Sequence, residues 1–560
     1  MKAKFIVGLL LILTSCASHD KQNRHYHQLI APKQLKKDVN YVQKNLQKMH
    51  PDLYWYITKE ALDFKFDSLR NSLNEALTPN EFFMKISPIV AAVGQGHMSM
   101  NMVNLTSSDS LKKKYKNSKH PLDGFEFEYH NERLYIKNIY SKKDTVLQTG
   151  SEILSINNLK PQVIFEKYRK TFTSDGYNQT AIPKFFGRRF SNYLIAEVGF
   201  VDSLNLHISC ADSIFHHTLT RTFRTKSKKS DKKDIQIADQ KKDSLTDSRV
   251  WTKEALKARK IAKKAEQKIL NRKKKWYGYD TKSKTFAKDL SYPIAKDSTI
   301  ALLKITNFSK GKVKVYDRVF SEIAHNKVTS LIIDLRGNPG GRLHEIYKLS
   351  QYLNDSTYRF IQPATITKRS SFFHLFKGQS VATKIFGAPF ISAYASFRGL
   401  SAKRDSNGNL KLPLKSSKST EPKTHNYQNN LYVITDGMTF SAAAIISSHL
   451  KGRNRAVFVG NETGGTFNGT VAGIMPVLKL PHSKLKIRVG LMSIKPIQQT
   501  DTEGFGVQPD VKIIPSIDET INEDDPELQW ILEDIAKKRV ASKFQLHLDM
   551  DVHAFSIPHL

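Results

Sequence analysis

Ser330-Leu331-Ile332-Ile333-Asp334-Leu335-Arg336-Gly337-Asn338-Pro339-Gly340-Gly341 is the stretch on which the fold turns. Its first part is apolar without polar alternation, which suits a strand of a parallel sheet covered on both faces. Leu343 to Leu353 then reads as a helix. Glycines at a strand-to-helix turn let backbone N–H groups face a small anion at close range. The pattern is neither Gly-x-Gly-x-x-Gly nor a Walker loop, and no Lys-Ser/Thr follows, so an oxyanion hole is the other main use of such a turn.

The neighbouring segments repeat the type. Ile300 to Ile305 is another apolar strand, followed by a helix carrying Phe320 and Ile323. Asn430 to Thr435 and Ala456 to Gly460 add two more strands. Strand and helix alternate, so the region from about Asp297 is an α/β core. Residues 361–428 carry few periodic signals and read as a long, partly ordered insertion of lid type. After Thr435 comes Asp436-Gly437-Met438-Thr439-Phe440-Ser441-Ala442-Ala443-Ala444 and a helical Ile445 to Leu450. A serine at that helix start sits in the positive end of the helix, with small neighbours leaving room for a carbonyl. This is the logic of a nucleophile elbow without Gly-x-Ser-x-Gly. An ordinary N-cap is the alternative for Ser441 taken alone.

Ahead of the core the patterns differ. Lys36 to Ala92 is helical, with Thr78-Pro79-Asn80-Glu81 opening one helix and Gly94-Gln95-Gly96-His97 closing the block. Met98, Met100 and Met102 then alternate like a strand. Residues 120–222 are β-rich, and Gly150-Ser151-Glu152-Ile153-Leu154-Ser155-Ile156-Asn157 resembles a PDZ-type module, a fold suited to peptide capture by strand addition. A β-rich spacer is the plainer reading. Arg224 to Lys275 is a basic insert, with 20 Lys and Arg against seven Asp and Glu. It reads either as a solvated linker or as a contact for anionic lipid headgroups or an envelope polymer, with a basic helix in its second half.

The chain has 560 residues, with 88 Lys and Arg against 52 Asp and Glu, a net charge of +36. Such a balance invites nucleic acid as a partner, or an anionic surface. The first residues decide between them. Met1-Lys2-Ala3-Lys4 is positive, Phe5 to Leu13 is apolar but too short to span a bilayer, and Leu13-Thr14-Ser15-Cys16 resembles a bacterial lipobox. Export through such a signal removes nucleic acid as a partner. It makes Cys16 the lipidated residue, leaving Cys210 as a single buried thiol. Two cysteines exclude a disulfide framework and a Cys-rich zinc site.

Asp334 to Gly341 and Thr439 to Ala443 together resemble the tail-specific (C-terminal processing) serine protease family. The helical start, the β-rich middle and the late Glu503-Gly504-Phe505-Gly506-Val507-Gln508-Pro509-Asp510 extend the resemblance along most of the chain. One branch of the family uses a Ser-Lys dyad, but Gly460 to Thr470 holds no lysine. The other, tricorn-core-like branch uses Ser, His and Glu. The resemblance then implies Ser441 as nucleophile, His97 as general base and Glu503 as the supporting carboxylate. Gly340 or Gly341 with Ala442 would form the oxyanion hole, and no metal or organic cofactor is required. Asp501 is a rival to Glu503, Glu462 reads as a second polar support or a turn residue, with the turn favoured, and Asp334 and Arg336 read as structural partners of the loop. Three positions depart from the family pattern: Ala444 where an acid is frequent, Gln95 where Asp is frequent, and Gly96 where the tricorn-like pattern has Ser.

The expected organisation is a signal at 1–15 and a tether at 16–35. A helical subdomain follows at 36–105, a PDZ-like module at 120–222 and a basic insert at 223–290. The α/β core, a ClpP/crotonase-like mixed sheet with helices, spans 295–535, and a tail spans 536–560. The expected function is a lipid-anchored serine endopeptidase of the cell envelope, periplasm-facing, cutting polypeptides through an acyl-enzyme. A degenerate protease fold serving as an envelope scaffold is the alternative.

Overall fold

The computed structural model describes residues 25–103, 115, 118–140, 146–223, 253–281, 283–376 and 381–554. The signal, Cys16 and the first half of the basic insert lie outside the described residues. No described helix is long and apolar enough to cross a membrane.

Three helices open the fold: α1 (Pro32–Met49), α2 (Lys59–Ser72) and α3 (Pro79–Ala91). The start of α3 follows from its sequence. Thr78 caps the helix through its hydroxyl, Glu81 returns a bond to the Thr78 N–H, and Pro79 occupies the first turn, where no donor is needed. The packed chain begins ahead of α1, because Ile30 is buried and exchanges backbone hydrogen bonds with Leu77. Part of the expected tether is thus pinned to the helical block.

A five-stranded antiparallel sheet follows, made of β1 (Phe125–His130), β2 (Arg133–Ile139), β3 (Glu152–Ile156), β4 (Ser203–Cys210) and β5 (Ser213–Thr220) in that order. Helices α4 (Pro161–Arg169) and α5 (Ala181–Val198) sit between β3 and β4 in the chain. Phe186 and Phe190 of α5 are fully buried against Phe127, Tyr129 and Leu134, so this module has its own apolar core. Gly187 lets α5 lie on β1: a Cβ there would stand 2.7 Å from the Tyr129 backbone nitrogen. The second half of the basic insert forms helix α6 (Lys253–Tyr277).

The C-terminal half is built on a six-stranded sheet in the order β11–β10–β9–β8–β7–β6. These are β6 (Lys288–Ser291), β7 (Ile300–Ile305), β8 (Ser330–Asp334), β9 (Asn430–Thr435), β10 (Val457–Gly460) and β11 (Val511–Lys512). All neighbours are parallel except β6, which runs antiparallel along β7 and brings Lys288–Ser291 into the sheet ahead of residue 295. Every residue of β8 is buried. Leu331 and Ile333 face a core shared with helices α7 (Val315–His325), α8 (Leu343–Leu353) and α10 (Ala442–Gly452), while Ile332 faces Ile531 and Ile535. Those two belong to α11 (Pro526–Ala554), which continues through the boundary placed at 535. The two-residue period of a strand thus feeds two apolar layers, which is why no polar alternation is visible.

The stretch 361–428 is more regular than its sequence pattern suggests. It contains strands Ala364–Ile366 and Leu410–Leu412 and a long helix, α9 (Val381–Leu400). The two strands join Met492–Ile494 and Thr470–Ala472 in a second sheet. Strands this short carry too few residues for a period to show.

Candidate active site

Strand β9 ends at Thr435, and a turn of five residues leads to Ser441 at the head of α10. Ser441 has φ 56° and ψ −120°, a region that non-glycine residues rarely enter. The conformation is held by the Gly-rich loop after β8. Thr439 Oγ1 donates to the Leu335 carbonyl at 3.0 Å, Phe440 N–H to the Asn338 carbonyl at 3.0 Å, and Gly337 N–H to Asp436 Oδ1 at 2.9 Å. The Ser441 side chain makes no capping bond to α10. The loop is braced in turn by Arg336, whose guanidinium bonds Asp334 at 2.9 Å and Asp525 at 2.7 Å. Asp334 and Arg336 are thus loop partners.

The hydroxyl of Ser441 lies 2.8 Å from His97 Nε2. On the other side of the ring, His97 Nδ1 is 3.0 Å from Thr470 Oγ1, and Thr470 donates its own proton to Asp175 Oδ1 at 3.2 Å. This order fixes the proton positions. Thr470 spends its proton on Asp175, so it accepts from Nδ1–H, and Nε2 is left to accept from Ser441. Gly96 N–H adds a bond to Asp175 Oδ1 at 2.7 Å. The His97 carbonyl is held by Arg488 Nε at 2.9 Å, and the Phe440 ring stacks on the imidazole with centroids 5.2 Å apart.

Burial sets the charge states. It pushes the His97 imidazole down to about 3, helped by the Arg488 guanidinium, so the ring is neutral and its Nε2 lone pair is available. Burial also pushes the Asp175 carboxyl up to about 7, against the Gly96 N–H and the Thr470 hydroxyl. Asp175 Oδ2 has no hydrogen-bond partner among the described residues, so there its charge rests on one oxygen's bonds.

The sequence-predicted residues separate into two groups. Ser441 and His97 meet, with Gly340 and Ala442 beside them: a Cβ on Gly340, at φ +94°, would lie 2.7 Å from Ser441 Cβ and 2.8 Å from Ala442 N. Gly340 N–H is engaged with Asn338 Oδ1 at 2.9 Å. The N–H groups of Gly341 and Ala442 have no partner among the described residues. Glu503 is not brought to His97. Its exposed side chain accepts from Trp55 Nε1 at 3.1 Å. Asp501 is exposed as well. Glu462 accepts from Asn178 Nδ2 at 2.9 Å and from Gly506 N–H at 2.7 Å, so of the two readings it is the polar support, tying segments together.

Asp175 and Thr470 were not singled out in the sequence. Ser174-Asp175-Gly176 reads as an ordinary turn, and one threonine of a three-residue strand carries no signal. What delivers them is a glycine junction. Gly176 N–H donates to the Gly94 carbonyl at 2.9 Å, and Tyr177 N–H to the Gly504 carbonyl at 2.8 Å. A Cβ on Gly176 would stand 2.3 Å from that carbonyl oxygen. The helical block, the β module and the late segment therefore meet beside His97.

The departures from the family pattern also find physical reasons. A Cβ on Gly96 would lie 2.4 Å from Phe440 Cζ, so the ring on His97 occupies the space a serine would need. Ala444 Cβ would lie 2.6 Å from a Cβ on Gly465, where helix and loop meet too closely for an acidic side chain. Gln95 is buried and accepts from Val471 N–H at 3.3 Å, beside Thr470.

Residues 299–513 match the family model described as Peptidase family S41. Those residues carry a Peptidase family S41 domain. S41 members are serine-type peptidases, hydrolases whose substrates are polypeptides. Among solved structures, mature CPAF aligns with this chain at TM-score 0.55 and 14% identity, covering 88% of this chain and 95% of that one. Mature CPAF complexed with lactacystin aligns at TM-score 0.56 and 13% identity, covering 91% and 98%. These likenesses show a shared α/β fold. No curated protein matches the sequence.

Proposed function

We propose that this chain, with its S41 domain, is a working serine endopeptidase that is acylated at Ser441. The observation that carries the reading is the 2.8 Å contact between Ser441 Oγ and His97 Nε2 at a strained strand-to-helix turn. His97 takes the hydroxyl proton as Ser441 attacks the peptide carbonyl. The N–H groups of Ala442 and Gly341 receive the oxyanion, and His97 returns the proton to the leaving amine. Asp175, acting through the Thr470 hydroxyl, stabilises the transient imidazolium. That is the part the family resemblance gives to Glu503. Water then releases the acyl group by the same base.

The charged lipobox-like start ending in Cys16 supports a lipid-anchored enzyme in the cell envelope, acting on extracytoplasmic polypeptides. The β module is proposed to hold an extended substrate by strand addition at an open sheet edge. A fluorophosphonate serine probe tests the catalytic reading. Wild type should be labelled and Ser441→Ala should not, with the same contrast in cleavage of an unfolded test protein. Absence of labelling in folded wild type would leave a degenerate scaffold.

A further inference from the structure

Helix α9 has a face that nothing among the described residues covers. Phe386, Phe390, Phe397 and Leu400 are 78%, 79%, 67% and 74% exposed. Their spacing, with Pro389 and Ala393 exposed between them, places them on one stripe of the helix. The opposite side is bound to the protein: Ala395 is buried, and a Cβ on Gly399 would stand 2.4 Å from the Arg369 carbonyl oxygen. The helix is therefore docked by its small residues and presents its aromatic ones outward. An exposed apolar row of this size on a soluble fold marks an interaction surface.

Charge says what kind. Between Asp355 and Asp405 the sequence holds no Asp or Glu. Lys368, Arg369, Lys403 and Arg404 are exposed around the base of α9, and Arg398 lies near its end. Aromatic residues on one side of a helix with cations at its margin are the composition of helices that lie in the interfacial plane of an anionic bilayer. A polypeptide partner would need an acidic rim around an apolar groove, a narrower requirement. The whole chain carries +36, so a negatively charged surface attracts it at long range.

We propose that α9 is a membrane-surface contact, laying Phe386, Phe390, Phe397 and Leu400 among the headgroups and upper acyl carbons of an anionic bilayer. The contact is independent of the lipid at Cys16 and of the peptidase chemistry.

The test uses the full chain carrying Cys16→Ser, so that no acyl chain contributes. It is sedimented with phosphatidylglycerol-containing vesicles and with pure phosphatidylcholine vesicles. The same chain with F386S, F390S, F397S and L400S should lose at least tenfold in partitioning to the anionic vesicles. It should keep its melting temperature and its hydrolysis of a soluble peptide. K403E with R404E should weaken anionic binding at low salt and leave it unchanged at high salt. Equal partitioning of the parent and the four-residue variant overturns the proposal. So does conversion of a dimeric parent to a monomer with vesicle binding unchanged, which assigns the face to a second copy. A raised KM for the test protein with vesicle binding unchanged overturns it too, and assigns the face to substrate.

Discussion

Asp175 reaches His97 through a single hydroxyl, that of Thr470, although the two residues come from different structural units. The carboxylate sits in the turn between α4 and α5, while the histidine closes the helical block. The carboxylate at this end of the hydrogen-bonded chain therefore comes from the β module.

Replacing Asp175 with Asn should lower kcat by about 10²–10³-fold, because the imidazolium loses its negative partner while the bonds from Gly96 and Thr470 survive. Glu503→Gln should leave kcat within about threefold of wild type, since its side chain faces Trp55 and solvent. Steady-state kinetics on both variants checks the contrast. A large loss in Glu503→Gln beside a mild one in Asp175→Asn would return the role to Glu503.

Thr470→Val should cut kcat about 10–10²-fold, with Thr470→Ser restoring most of it. The valine keeps shape and burial but breaks the chain of donors. Equal activity in the valine and serine variants would show that the hydroxyl is only packing.

The pH dependence follows from Asp175. Its carboxyl is raised to about 7, so kcat should rise as pH passes upward through that region and the charge appears. Stability runs the other way. The neutral form is favoured in the folded state, so the stability linked to Asp175 is complete below the unfolded carboxyl pKa of about 4 and is lost as pH rises through about 7. Asp175→Asn should therefore flatten the kcat profile. It should raise the denaturant midpoint at pH 8 by an amount equivalent to about 4 kcal/mol, with little change at pH 4. Urea titrations at the two pH values measure it.

Gly96→Ala should reduce activity by pushing Phe440 off His97, since the added carbon would meet Phe440 Cζ at 2.4 Å. Phe440→Leu in the same chain should recover part of the loss. A double-mutant cycle with no coupling would contradict the steric account.

Much of this was legible in the sequence where one residue's type and its neighbours determine the outcome. The unalternating run of β8, the Thr78–Glu81 cap and the small residues after Ser441 all act locally. The pairing of His97 with Ser441 came through the family resemblance, since nothing local sets a contact across 344 positions. The Asp175–Thr470 limb was not legible. It depends on three glycines from separate segments approaching backbone to backbone, and Gly-containing turns look alike in a sequence. Glu503 shows the reverse error: its segment reaches the site, but its side chain leaves it.

The meeting of Gly94, Gly176 and Gly504 has a consequence for the life of the chain. The histidine is made early and the serine late, and the last member of the junction is made later still. Until Gly504 has emerged and docked, the surroundings of His97 lack one of the three glycines that meet there, so a partial chain is expected to be inactive. A chain ending at Gln499 should remain silent toward the serine probe, although it contains Ser441, His97, Thr470 and Asp175. On the proposed catalytic reading, assembly of the site waits for the segment that carries Gly504.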